Sequence, residues 1–375
     1  MAGPWITDVE RKIVADALTE ESWYEKRYYY VEKFEKEFAE FHNRKYGLMT
    51  PNCTQAIYLL LFALGIKEGD EIIVPDCTWT GSVAAIPFFG AKPVFCDINE
   101  KSWCIDPISV EERITEKTKA IIAVDLYGNM PDMDRLKKIS EKYNFPLIED
   151  SAESLGSKYK GVSAGKFGVG SVFSFHSTKT ITSGEGGIVL LDDDDLYEKA
   201  KFIRDCGRDE KEPYKVKAPS LKHMPSNPQA ALVYAQFTRL NEIIEKKRWI
   251  LHKYKEELSD FPDLQFNEES DSVYNGVWAS SMVWGRGYNL TKEEMMQELE
   301  KLNLPSRPFF YPLSSLPAYA KYAAGSTKRN KVSYDLSSRG ITLPASLILT
   351  EGDIKEYCNG IKKILRERLS SENFF

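Results

Sequence analysis

Leu147-Ile148-Glu149-Asp150-Ser151-Ala152-Glu153 reads as a buried strand that ends on carboxylates and small polar residues. Similar short apolar runs recur on either side of it: Glu71 to Val74, Pro93 to Asp97, Ala120 to Asp125, Val172 to Phe175 and Gly187 to Leu191. Between them, stretches 54–65, 132–144 and 194–205 carry helical periodicity. Strands alternating with helices specify an α/β architecture, a mostly parallel sheet covered by helices on both faces. The short spacing over 172–191 predicts an antiparallel turn-back at the end of the sheet.

Further out the pattern changes. Helices are expected over 8–20 and 31–42, the second with Phe34, Phe38 and Phe41 on one face. The aromatic stretch Trp23 to Tyr30 between them reads as packing or an interface rather than a substrate wall. One long helix is expected from Pro228 to about Leu258, opened by Asn227-Pro228. Beyond it, strands over 275–285 and 303–311 and helices over 291–302 and 351–369 predict a smaller α+β C-terminal domain. The expected division is 1–245 and 246–375.

Composition narrows the function. The 375 residues suit two domains, and the net charge of −6 offers no basic face for a nucleic-acid backbone. No apolar run reaches the ~20 residues a membrane span needs. The start of the chain lacks the features of a signal peptide. Six dispersed cysteines without a Cys-x-x-Cys pair fit reduced thiols, and four scattered histidines speak against a metal site. A cytoplasmic globule is expected.

Four features carry chemistry. Asp150 ends a buried strand, where ligands bind in open α/β sheets; taken alone, it serves equally well as a helix cap. Lys179 follows the strand ending at Ser174, in a polar loop running to Gly184-Glu185-Gly186-Gly187. It is a solvated lysine, a phosphate ligand, or an amine in a dry pocket whose depressed pKa suits imine chemistry. Cys53-Thr54-Gln55 open an apolar helix, whose bare N–H groups form a phosphate cradle, as the first turn of any helix can. Trp79, ending another strand, either packs in the core or stacks on a planar ring. Together they supply a lysine, a carboxylate, a stacking ring and a phosphate cradle, the parts a pyridoxal phosphate site needs.

The order and spacing of these motifs resemble the DegT/StrS-type sugar aminotransferases. The likeness runs from Gly3-Pro4 to the final helix and is most specific over Ser174-Phe175-His176-Ser177-Thr178-Lys179-Thr180-Ile181-Thr182-Ser183-Gly184-Glu185-Gly186-Gly187. Ile148 to Glu153 and Arg307-Pro308-Phe309-Phe310-Tyr311-Pro312-Leu313 support it. The latter, with Trp23-Tyr24, is most similar to the GDP-perosamine synthase branch.

The resemblance implies the type I fold of pyridoxal-phosphate-dependent transferases, with a seven-stranded mixed sheet, and a set of roles. Lys179 would carry the cofactor as a Schiff base and shuttle the proton, while Asp150 pairs with the ring nitrogen and Trp79 covers the ring. Cys53, Thr54, Gln55 and Ser174 would surround the phosphate, with Ala152 and Glu153 beside the ring. Asn227 would lie in the segment a homodimer passes to its partner's site. His176, Glu185, Arg307 and Tyr311 would face substrate.

The implied reaction is ping-pong transamination through the pyridoxamine form, from L-glutamate to a keto-sugar. A nucleotide-linked 4-keto-6-deoxy sugar, made for lipopolysaccharide O-antigen, is the leading acceptor. A free keto-sugar acid is the alternative, and a sugar dehydratase or a non-enzymatic sensor are further readings. Lys179 speaks against the dehydratase branch, which has histidine there. The chain departs from the family at Cys53, usually glycine, at Ser314, usually histidine, and over 220–226, which lacks the usual aromatic–Asn–aromatic–basic run.

Overall fold

The computed structural model describes residues 5–209, 211–212 and 214–372, so the Gly3-Pro4 start of the resemblance lies outside the described residues. A seven-stranded sheet runs, edge to edge, Tyr46–Thr50, Gly187–Leu191, Gly170–Ser174, Leu147–Asp150, Thr118–Val124, Glu71–Pro75 and Lys92–Cys96. Six strands run in one direction, five of them paired in parallel. Gly187–Leu191 turns back antiparallel between Gly170–Ser174 and Tyr46–Thr50, as the short spacing predicts.

The central strands read as continuous apolar runs because helices cover both faces. Leu60, Ile72, Val74 and Ile122 pack on one side, and Ile73, Ile121, Leu136 and Leu147 on the other. Several covering helices start at a side-chain cap: Asn52 for Cys53–Ala63, Asp132 for Met133–Tyr143 and Asp193 for Asp194–Arg204.

A second, antiparallel sheet joins Gln265–Phe266, Ser281–Val283, Gly340–Thr342 and Arg307–Pro308. It closes over its own core of Trp284, Met295, Tyr357 and Ile361, against helices Leu240–Glu257, Lys292–Lys301 and Glu351–Glu372.

Three expectations are corrected. The long helix is two, Asn227–Phe237 and Leu240–Glu257. At the break the Thr238 hydroxyl bonds back to the Ala235 carbonyl, and Arg239 leaves helical geometry while its guanidinium reaches Glu10 at 2.8 Å. The 275–285 strand shrinks to Ser281–Val283, because Asn275 Oδ1 accepts from the Val277 N–H and folds the chain before it. The 303–311 strand shrinks to Arg307–Pro308: Asn303 is left-handed, and Pro305 and Pro308 donate nothing to a ladder. Of the three phenylalanines expected on one helix face, Phe34 and Phe38 are buried and Phe41, at the helix end, is exposed.

Candidate active site

The carboxyl ends of the parallel strands deliver the expected residues to one place. Asp150 is buried; its Oδ2 accepts from Ser82 Oγ at 2.7 Å and its Oδ1 from the Ala152 N–H at 3.1 Å. Burial pushes its pKa up, and the two donors and Lys179 oppose that. Glu153, also buried, accepts from Lys179 Nζ at 3.0 Å and from the Tyr127 N–H at 3.0 Å. Burial raises its pKa too, against the pull of Lys179. The Lys179 amine thus lies in a dry setting with a carboxylate beside it and a second one near.

The candidate phosphate cradle draws on three segments. Cys53 and Thr54 are the first two residues of their helix, so their N–H groups have no acceptor within it. The Gln55 N–H is already taken by the Asn52 side chain at 2.9 Å, which leaves Gln55 a weaker ligand than its neighbours. Gly187 closes the cradle's floor: a Cβ there would fall 2.5 Å from Cys53 N. Gly81 does the same for the ring wall, since its Cβ would meet Trp79 Cδ1 at 2.9 Å and Thr54 Oγ1 at 3.3 Å. Burial pushes the Cys53 thiol well up, and Asp150, Glu153 and Lys179 all act on it. The helix start therefore faces the same site. Ser174 ends its strand and accepts weakly from the His176 N–H.

This donor set fits pyridoxal phosphate. An amine, a buried carboxylate for the ring nitrogen, an exposed indole (Trp79, 60 % accessible) and a glycine-floored helix start converge at one sheet edge.

At the rim, His176 Nε2 lies 3.6 Å from Glu185 Oε1 and His176 Nδ1 3.1 Å from Thr178 Oγ1. Other expected residues stand apart within one chain. Asn227 Oδ1 accepts from the Tyr30 N–H at 2.8 Å, and its Nδ2 is buried without a partner. Arg307 is exposed on the second sheet, and Tyr311 packs its ring under Lys292 Nζ at 3.4 Å. No contact ties Asn227, Arg307 or Tyr311 to the Lys179 group among the described residues.

Sequence reading missed four contributors: Ser82, Tyr127, Trp278 and Phe310. Tyr127, Trp278 and Phe310 form a near-parallel aromatic wall, interplanar angles 6–11°, with Trp79 tilted against Phe310. Trp278 presents its ring to Lys179 Nζ at 3.9 Å from the centroid. Ser82 had a faint signal, a hydroxyl three residues past Trp79, and Phe310 lies in the Arg307–Leu313 motif without being singled out; Tyr127 and Trp278 had none, because they are distant in sequence from the lysine.

The chain matches the DegT/DnrJ/EryC1/StrS aminotransferase family over residues 6–362. It is 36% identical to the GDP-perosamine synthase of Vibrio cholerae over 359 residues, covering 96% of this chain and 97% of that one. With the GDP-perosamine synthase of Escherichia coli O157:H7 the identity is 35%, over 97% and 98% of the two chains. A putative sugar aminotransferase from Streptococcus pneumoniae, solved in its PMP form, superposes with TM-score 0.88 at 25% identity, over 98% and 99% of the two chains.

Proposed function

The chain belongs to the DegT/DnrJ/EryC1/StrS aminotransferase family of pyridoxal-phosphate-dependent sugar aminotransferases, and from that premise we propose that it moves nitrogen from L-glutamate to C4 of a nucleotide-linked 4-keto-6-deoxy sugar. The observation that carries the residue assignment is the Lys179 amine 3.0 Å from Glu153, beside a buried Asp150. The acceptor rests on the two GDP-perosamine synthase relatives.

Pyridoxal phosphate, when bound, supplies the electron sink for transamination. The protein's part is placement and proton movement. Asp150, oriented by Ser82 and the Ala152 N–H, would keep a proton on the ring nitrogen. Trp79 would cover one ring face, with Ala152 in the chain beside Asp150. The Cys53 and Thr54 N–H groups, the Thr54 hydroxyl and Ser174 would hold the phosphate at a helix start. Lys179 would move the proton as general base and acid, with Glu153 holding Nζ in place. His176 and Glu185, both partly exposed, would meet the sugar.

We treat residues 1–245 as the cofactor-carrying domain and 246–375 as the smaller one; the division falls within the Leu240–Glu257 helix, which packs on the second core. A cytoplasmic homodimer is part of the proposal, as is amino-sugar supply for O-antigen. The partnerless Asn227 Nδ2 and the exposed Trp23 and Tyr24 support an interface. No described helix is long and apolar enough to cross a membrane.

The test is optical and then chemical. L-glutamate added to the cofactor-loaded protein should shift its absorbance to the amine form of the cofactor, and 2-oxoglutarate should reverse it. The loaded amine form should then turn over a GDP-linked 4-keto-6-deoxy sugar faster than free keto-sugar acids. No response to glutamate sinks the donor; preference for a free acid sinks the nucleotide-linked acceptor.

A further inference from the structure

Trp278 is tied down from every side. Its indole Nε1 donates to the Thr178 carbonyl at 2.8 Å, one residue before Lys179, so ring and amine are held as a unit. Its own carbonyl accepts from Lys247 Nζ at 3.2 Å, and the same ammonium reaches the Ala345 carbonyl at 2.8 Å. The next carbonyl, Ala279, accepts from Asn267 Nδ2 at 2.9 Å, and that amide also holds the Tyr127 carbonyl at 2.6 Å. One amide therefore locks the two stacked rings, Tyr127 and Trp278, to each other.

Two further features are costly for mere packing. Val277, just before Trp278, has φ +57°, and Tyr127 has φ +53°. A β-branched and a bulky residue in the left-handed region are strained, and such strain collects at functional sites. The two turns can touch only because Gly128, at φ +85°, has no Cβ: one there would lie 2.4 Å from Asn275 Oδ1 and 2.9 Å from Val277 N. Lys247 is fully buried and meets only backbone carbonyls, with no carboxylate partner among the described residues. An apolar side chain of similar length would fill that space without the desolvation cost.

We propose that Trp278 is a positioning residue for Lys179, its indole holding the amine beside Glu153 whenever Nζ is not bonded to the cofactor, and that Lys247 fixes the indole by gripping its carbonyl. The amine is held between the indole face, 3.9 Å from its centroid, and the Glu153 carboxylate at 3.0 Å, which fixes where Nζ sits. The titratable groups acting with Lys179 are Glu153, Asp150 and the Cys53 thiol; no titratable group among the described residues shifts Lys247, and burial lowers its pKa to about 8.

This inference rests on Lys179 being the cofactor-bearing lysine, and the experiment separates the two. In cofactor-free protein, reductive methylation of Lys179 across a pH series, read by mass spectrometry of its peptide, gives the midpoint of the amine. Trp278→Leu should lower that midpoint by about 0.5–1 unit, the size of a cation–π contact. Trp278→Phe should restore at least half of the shift, because a ring face returns. Lys247→Met should lower the midpoint too, although it leaves the indole in place. A midpoint unchanged in Trp278→Leu overturns the proposal; if that variant does not fold, an unchanged midpoint in Lys247→Met overturns it. Borohydride reduction of the loaded wild-type protein, with peptide mapping, reports independently whether the cofactor sits on Lys179.

Discussion

Ser82 Oγ donates to Asp150 Oδ2 at 2.7 Å, both side chains buried, so the turn after the Glu71–Pro75 strand fixes the carboxylate at the end of Leu147–Asp150. Burial drives that carboxyl toward its neutral form, and Ser82 is the largest influence against it. Ser82→Ala should therefore weaken cofactor binding about tenfold, the loss expected for one hydrogen bond to a charged group. Fluorescence titration of cofactor-free protein measures it; an unchanged dissociation constant removes Ser82 from the site.

Lys179→Ala should leave the fold intact, since the side chain sits at the wall of the site and its one ion pair among the described residues is with Glu153. Turnover should fall by at least the ~10²–10⁴ that general acid–base catalysis contributes. Borohydride should no longer fix cofactor to the chain. Retained turnover in a stopped assay would show that another group carries the proton.

Gly187→Ala places a methyl group 2.5 Å from Cys53 N and from the Asn52 carbonyl carbon, both backbone atoms that cannot swing away. The helix start must shift, which costs roughly 1–3 kcal/mol of stability for overpacking. Phosphate affinity should drop with it. Thermal unfolding and cofactor titration together check this: a variant that unfolds like wild type and binds equally well rules out the glycine floor.

Lys247 sets a pH dependence whose sign is fixed. Its folded pKa of about 8 lies below the ordinary 10.5, so between those values the unfolded chain binds the extra proton and stability rises with pH. The penalty, on the order of 3 kcal/mol, is present in full below about pH 8 and gone above about 10.5. Unfolding by urea at pH 7.5 and 10 should show wild type gaining on Lys247→Met by a kcal/mol or more. Parallel curves would mean that Lys247 is neutral or unburied in solution.

Much of the fold was legible because local patterning carries it. Apolar runs such as Ala120 to Asp125, flanked by amphipathic stretches, predict the parallel sheet. The second half was read less well. Its strands are two or three residues long, and Asn275, Val277 and Asn303 bend the chain through turns that hydrophobic periodicity does not register. The helix break at Thr238–Arg239 escaped for a similar reason: it depends on Arg239 reaching Glu10, 229 residues away.

By itself the sequence determined the lysine, the carboxylates and the helix start, because each sits at a strand end or a helix cap whose position local propensity sets. Lys179, Asp150, Cys53 and Thr54 stood out by residue type and position, and the family resemblance added Glu153. Only the tertiary structure decided what surrounds them: that Ser82 holds Asp150, that Gly187 floors the cradle, and that Trp278 faces the Lys179 amine. Those relations join residues 68, 134 and 99 positions apart, as from Ser82 to Asp150, Cys53 to Gly187 and Lys179 to Trp278. Contacts at such separations are fixed by how sheets and turns pack, and no periodicity within a strand or helix encodes them.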